Sequence, residues 1–199
     1  MHKPLIKFKS ILILMFLSTV IIQGCAVASL PNEPINFNNS SDHGLLVGSI
    51  TFPSTHPKFS HYFFRLSNNS SAEFQIKREQ EGQLDQGRTY VFIVERPAGK
   101  DEIPSIRLSR YNEMFGTYSQ VTIGGFAIPY DIKKGEITYI GNICFNEYAN
   151  KGELLVTYKN TNFEKDIRTL KIVQPKVNWT NVKNDMERKI EYNDKKARL

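Results

Sequence analysis

Four histidines, two cysteines and a scatter of carboxylates are the side chains with chemistry to offer. His56 and His61 flank Pro57, close enough in sequence to meet in a loop, with His43 further back. A zinc or copper site needs three or four ligands held by a second layer of partners. No Cys-x-x-Cys, His-x-His or His-Glu-x-x-His spacing occurs, so no metal is expected and the imidazoles read as loop residues. Glu79, Glu81 and Asp85 cluster near a turn and could act as a carboxylate pair, although a solvated loop face is the simpler reading. Serine is plentiful, but no Gly-x-Ser-x-Gly elbow presents one as a nucleophile. Gly124-Gly125 interrupts a strand pattern, as a bulge or a close backbone approach would, rather than opening a phosphate loop. No catalytic residue, cofactor or enzymatic activity is expected. Among the aromatics, Tyr62, Phe63, Phe64, Tyr111, Phe115, Tyr118 and Tyr130 could supply a platform for sugar or peptide, with most of those on strands assigned to the core.

The chemistry that stands out is at Cys25. His2, Lys3, Lys7 and Lys9 precede an apolar run from Ile11 to Ile22, followed by Gln23 and the small residue Gly24. A basic start, an apolar middle and a small residue before the cut mark an export signal. The run is shorter than the roughly 18 residues of a membrane span. Ile22-Gln23-Gly24-Cys25 resembles the lipobox of bacterial lipoproteins. That resemblance implies acylation of the Cys25 sulfur, cleavage before Cys25 and acylation of the new amine. Each buried methylene would contribute about 0.8 kcal/mol to anchoring. The stretch also fits a standard secretory cleavage site or an uncleaved anchor. In a Gram-negative cell an Asp after the acylated cysteine is the inner-membrane retention signal, whereas in a Gram-positive host the anchor would be the outer face of the only membrane. Ala26 stands there, so by the same resemblance the expected address is the outer membrane, facing the periplasm.

Removing residues 1–24 as the signal leaves 175 residues, enough for one domain with a sizeable core. The signal takes three lysines with it, and 23 basic residues then face 20 acidic ones. This mild balance gives no clustered basic face, and nucleic acid is not an expected partner. With Cys25 lipidated, Cys144 has no partner in the chain. Between Ile143 and Phe145 it reads as a small buried hydrophobe.

Residues 25–43, with Pro31, Pro34 and an Asn/Ser run, read as a flexible tether. From Gly44 the chain becomes short apolar runs separated by turn residues, which predicts strands. They are expected over 45–52, 60–66, from Phe74, over 88–94, 103–108, 121–130, 136–143 and 154–158. The β-branched and aromatic content of 88–94 predicts a central strand. Residues 111–120 read as a loop. Phe126, Ile128 and Tyr130 are expected on one face, and Ile137, Tyr139 and Ile143 likewise share one. Thr161-Asn-Phe-Glu164 has the form of a capping box. A short amphipathic helix follows with Ile167, Leu170 and Ile172 or Val173, ending before Pro175. Trp179, Val182, Met186 and Ile190 lie near helical spacing, predicting a charged surface helix and tail over 176–199. The fold class expected is all-β: an antiparallel β-sandwich over 44–175 with short C-terminal helices.

Two stretches carry a further likeness. Gly87 to Lys100 and Phe126 to Ile143 together resemble a pattern of Pro-x-Gly-x-Tyr, then Phe, then Gly-Glu-x-x-Tyr-Ile-Gly. This pattern is similar to that of small, uncharacterised bacterial envelope lipoproteins with a transthyretin-like, carboxypeptidase-regulatory-like β-sandwich. The chain departs from it at Asp101 or Glu102, where an aromatic residue is usual. The resemblance implies the fold and almost nothing about activity. The expectation is a lipid-anchored, non-enzymatic envelope module whose partner is a membrane through Cys25 and an envelope protein or a glycan. Carbohydrate or peptidoglycan binding and an envelope hydrolase are the alternatives.

Mass spectrometry of the mature protein should find a diacylglyceryl group on an N-terminal Cys25. An intact segment from Met1 to Gly24 would refute the lipobox reading.

Overall fold

The computed structural model describes residues 28–29, 35, 37, 42–67, 72–77, 88–150, 152–159, 162–185 and 191–192. Among these the chain is mostly strand. β1 (Ala28–Ser29), β2 (His43–Phe52), β3 (His61–Arg65), β4 (Glu73–Lys77), β5 (Arg88–Pro97) and β6 (Gly99–Asn112) come first. β7 (Thr117–Ile132), β8 (Ile137–Phe145) and β9 (Val156–Lys159) follow, then one helix, α1 (Phe163–Val173). A 3₁₀ turn at Trp179–Asn181 leads into β10 (Val182–Asn184), and β11 spans Glu191–Tyr192. One sheet has the order β1-β4-β3-β6-β7-β11 and the other β10-β8-β2-β5, with β9 continuing the β10 edge of β8.

The chain is all-β, as its punctuation predicts, but it is not antiparallel throughout. β2 pairs β8 in parallel, and β8 pairs β10 in parallel. Parallel neighbours require a long crossover. Here the crossover is the segment from β3 to β7, most of which builds the other sheet. It returns beside the start of β2, where the Gly135 amide donates to the His43 carbonyl and the Leu45 amide to the Glu136 carbonyl.

Two sets of buried side chains follow from strand alternation. Leu46, Ile50 and Phe52 of β2 and Tyr90, Phe92 and Val94 of β5 join side chains from β3, β4, β6, β7 and β8 in one cluster drawn from both sheets. Leu45, Val47, Val91 and Ile93, on the opposite face, join Ile167 and Leu170 of α1 in a second. The five-stranded sheet is therefore covered on both faces. β5 reads as a continuous apolar run for that reason and not because it is central: it is the edge strand of its sheet.

β8 holds the least expected feature. Leu45, Leu46 and Val47 pair with Ile137, Thr138 and Tyr139, but Ser49 pairs with Asn142, so Ile140 and Gly141 together oppose Gly48. A bulge of this kind reverses which face later side chains occupy. Ile137 and Tyr139 thus lie in the helix-side cluster and Ile143 in the other, correcting the single face expected of the three. A second bulge sits at Gly124-Gly125 in β7, as the paired glycines suggested. Ser105 opposes Gly124 while Ile103 opposes Ile128. Pro104, which has no amide to donate, lies between them.

Three other segments depart from expectation. Residues 111–120 are not a loop: β6 and β7 stay paired to Asn112 and Thr117, and a turn over 113–116 closes them with Gly116 at φ +60°. The tether ends early, because Ile35 and Phe37 pack against the helix-side cluster and the Ile35 amide donates to Gln174 Oε1 at 2.8 Å. After Pro175 the expected α-helix is replaced by a 3₁₀ turn at Trp179–Asn181 and a strand from Val182. Asn178 accepts from the Thr180 amide, and Val182 then joins the open edge of β8. Met186 and Ile190 lie outside the described residues. α1 ends at Gln174, before Pro175, and its N-cap is Asn162, whose side chain makes no capping bond. Ile172 points outward, 75 % exposed.

Gly141 has φ +95°, and a Cβ there would stand 2.4 Å from the Tyr158 ring. Gly152 has φ +97° with open space around it. Gly141→Ala should therefore lose about 2 kcal/mol or more in urea unfolding, and Gly152→Ala only the backbone share of about 1–2 kcal/mol. Equal losses would remove the role given to the Tyr158 contact.

Candidate functional site

The six-stranded sheet buries one face in the core and turns the other outward. On β3, Tyr62 and Phe64 go inward, leaving His61, Phe63 and Arg65 half-buried on the other side. Register aligns His61 with Ser109 and Gln120, Phe63 with Arg107 and Thr122, and, one step beyond His61, Tyr111 with Tyr118. A row of rings results. The Tyr111 and Tyr118 centroids are 4.9 Å apart, Tyr118 and His61 6.0 Å, and His61 and Phe63 6.2 Å. The Arg107 guanidinium lies 3.9 Å from the Phe63 centroid, a cation–π contact. Glu73 holds it there: Nε donates to Oε1 at 3.2 Å, and the second nitrogen pairs with Oε2. That carboxylate bond keeps the guanidinium protonated above even its ordinary range.

Two segments position this row. The β6–β7 ladder runs from Gly99 opposite Ile132 to Asn112 opposite Thr117, about 40 Å at strand rise. Beyond Ser109 it outruns the core, and residues 110–122 are exposed on both faces. At its tip Met114 and Phe115 are 85 % and 69 % exposed, and Tyr118 is 58 % exposed. The Tyr111 amide donates to Ser60 Oγ, tying the hairpin to the chain just before β3. The sequence named Phe63, Tyr111, Phe115 and Tyr118 among its platform aromatics but left His61 as a loop residue; strand register brings His61 into line with them. Tyr62, Phe64 and Tyr130 are buried, Tyr130 donating to the Leu66 carbonyl. Burial, with Asp101 nearby, pushes the Tyr130 hydroxyl up to about 12.

A second constellation lies between α1 and the five-stranded sheet. Ser49 Oγ donates to Asp166 Oδ2 at 2.5 Å and Tyr139 donates to the same oxygen at 2.6 Å. Asn142 Nδ2 donates to Ser49 Oγ at 2.6 Å and to Thr51 Oγ1 at 2.9 Å. Ser49, Tyr139, Asn142 and Asp166 are each 0 % exposed. A serine beside a carboxylate invites a nucleophile reading, but this hydroxyl is spent on Asp166 and sealed from any substrate. The cluster instead keys α1 onto β2 and β8. Burial dominates its electrostatics: it raises Asp166 above the ordinary carboxylate range against the two donated hydrogen bonds. Burial first, then Asp166, raises the Tyr139 hydroxyl, so that it remains a donor. Asp166 Oδ1 and Asn142 Oδ1 have no hydrogen-bond partner among the described residues.

The remaining candidates are scattered. His56 is exposed, with Nδ1 3.0 Å from Thr55 Oγ1, while His61 joins the ring row and His43 opens β2. Among the described residues no three His, Cys, Asp or Glu side chains converge as metal ligands. Cys144 is buried on β8. Glu147, which the sequence did not single out, is buried and accepts from Tyr62 and from the Lys58 amide, fastening the loop before β3. Cys25, Glu79, Glu81 and Asp85 lie outside the described residues. Comparison with family models, curated proteins and solved structures found no match. No described helix is long and apolar enough to cross a membrane.

Asp166 fixes a pH dependence. Its native pKa lies above the unfolded value of 3.8, so the native state holds that proton more tightly. The stabilisation is complete below 3.8 and is lost as pH rises through the native pKa. Asp166→Asn, which keeps an acceptor for Ser49 and Tyr139, should flatten the loss of stability between acid and neutral pH. Urea midpoints across a pH series check this; parallel curves for wild type and variant would refute it.

Proposed function

We propose that this chain is a lipid-anchored, non-enzymatic binding module of the bacterial envelope, with its two sheets forming a sandwich of the transthyretin-like or immunoglobulin-like kind. Acylated Cys25 tethers it, with Ala26 directing it to the outer membrane and the domain facing the periplasm. The observation that carries the binding role is the ring row Tyr111–Tyr118–His61–Phe63, which no other described residue covers, on the outward face of the six-stranded sheet. Exposed aromatics grouped in this way are the usual mark of a contact surface.

The sealed Ser49–Asp166 cluster weighs against the hydrolase alternative, since the converging titratable groups have no access to substrate.

A photo-crosslinking side chain placed at Tyr118 should give a higher-mass adduct in living cells, and one placed at the still more exposed Ile172 on α1 should not. Outer-membrane markers should accompany the adduct. Equal adducts at both positions, or none at 118, would overturn the assignment of this face.

A further inference from the structure

We infer that the ring row rests on the headgroup layer of the same bilayer that holds Cys25; this deepens the envelope-binding reading above and depends on its lipid anchor. Chain length decides first. β1 pairs with β4 in parallel, Ser29 opposite Gln75, and Gln75 in turn lies opposite Phe63. Cys25 precedes Ser29 by four residues, a reach of at most about 14 Å. Phe63, at the near end of the row, is two strands in from Ser29, about 10 Å. Acyl chains on Cys25 therefore bring a lipid surface to the β1 edge of this sheet. The other outer layer of the molecule, α1, packs on the far face of the five-stranded sheet.

Composition decides next. From Phe63 the rings run through His61 and Tyr118 to Tyr111, and Met114 and Phe115 stand exposed at the hairpin tip beyond them. Tyrosine and histidine join an apolar body to a polar end, which suits the depth where headgroups meet acyl chains. Methionine and phenylalanine have no polar end and suit the layer just beneath. Basic residues complete the face. Arg65 lies on the outward side of β3, and register sets Lys77 opposite His61. Positions 65 and 77 thus suit a layer of phosphates, while Glu73 neutralises Arg107 over the Phe63 ring. α1 offers no such gradient: exposed Glu164, Lys165, Arg168 and Lys171 surround Ile172.

Nitroxide labels on the full-length lipidated protein test the inference, in liposomes of phosphatidylethanolamine with a minority of phosphatidylglycerol. The labels go on Phe115→Cys and, as control, Ile172→Cys; Cys144 is buried and Cys25 acylated. Oxygen concentrates in lipid, and a nickel chelate stays in water. The ratio of oxygen to nickel collisions at 115 should be severalfold that at 172. Unsubstituted protein, in liposomes carrying a phospholipid with a photoreactive headgroup, should take lipid label within 110–120 and not within α1. Equal collision ratios at 115 and 172, or no lipid label within 110–120, would each overturn the inference while leaving the anchor and the binding role standing. A position-118 crosslink in cells to a protein or a glycan, and not to lipid, would do the same. Protein that does not stay with the liposomes would overturn the inference together with the anchor.

Discussion

Burying both faces of the β2–β8 pair is the constraint from which the rest of the molecule follows. A parallel pair has no face to spare for water, and here the six-stranded sheet covers one side and α1 the other. Nine consecutive residues of β8 are buried as a result. A strand so enclosed has to pair its polar groups within the fold. Tyr139 donates to Asp166, the buried carboxylate supplied by the helix, which also takes the Ser49 hydroxyl of β2, and Asn142 donates to Ser49 and Thr51. The helix position is thereby fixed by hydrogen bonds rather than by apolar packing alone.

The legible part of the fold was the part written in alternation and punctuation. Strands with one face in the core, such as β3 with Tyr62 and Phe64 inward, announced their faces, and Pro175 announced the end of α1. What escaped were features set by partners distant in sequence. The Ile140–Gly141 bulge exists because Gly48 lies opposite, and no local pattern reports that pairing. The β6–β7 tip escaped for the opposite reason: both its faces meet water, so no alternation marks it as strand. Cross-strand pairing of Tyr111 with Tyr118 supports it instead. The candidate site was half visible, since its tyrosines stood out as aromatics in a polar stretch. The alignment of His61 and Phe63 with them is a property of register.

The two sheets divide the labour. The five-stranded sheet is covered on both faces, while among the described residues the six-stranded sheet keeps an outward one on which side chains can change without opening the core. The hairpin that carries Tyr111 and Tyr118 extends beyond the buried layer, so its tip contributes little to stability. Sequence drift there is constrained by what it touches, not by folding.

Trp179 is the chain's single tryptophan. Its indole nitrogen donates to the Gln174 carbonyl at the end of α1, and its ring packs on the helix-side cluster. It is far in the fold from the hairpin rings and has no part in the cluster drawn from both sheets. Its emission is consequently an intrinsic optical gauge of one event, the seating of the helix. The far-ultraviolet strand signal reports the sheets. A transition seen at 295 nm excitation while that strand signal stays unchanged would be the helix lifting from an intact β-structure, with no dye or engineered label needed.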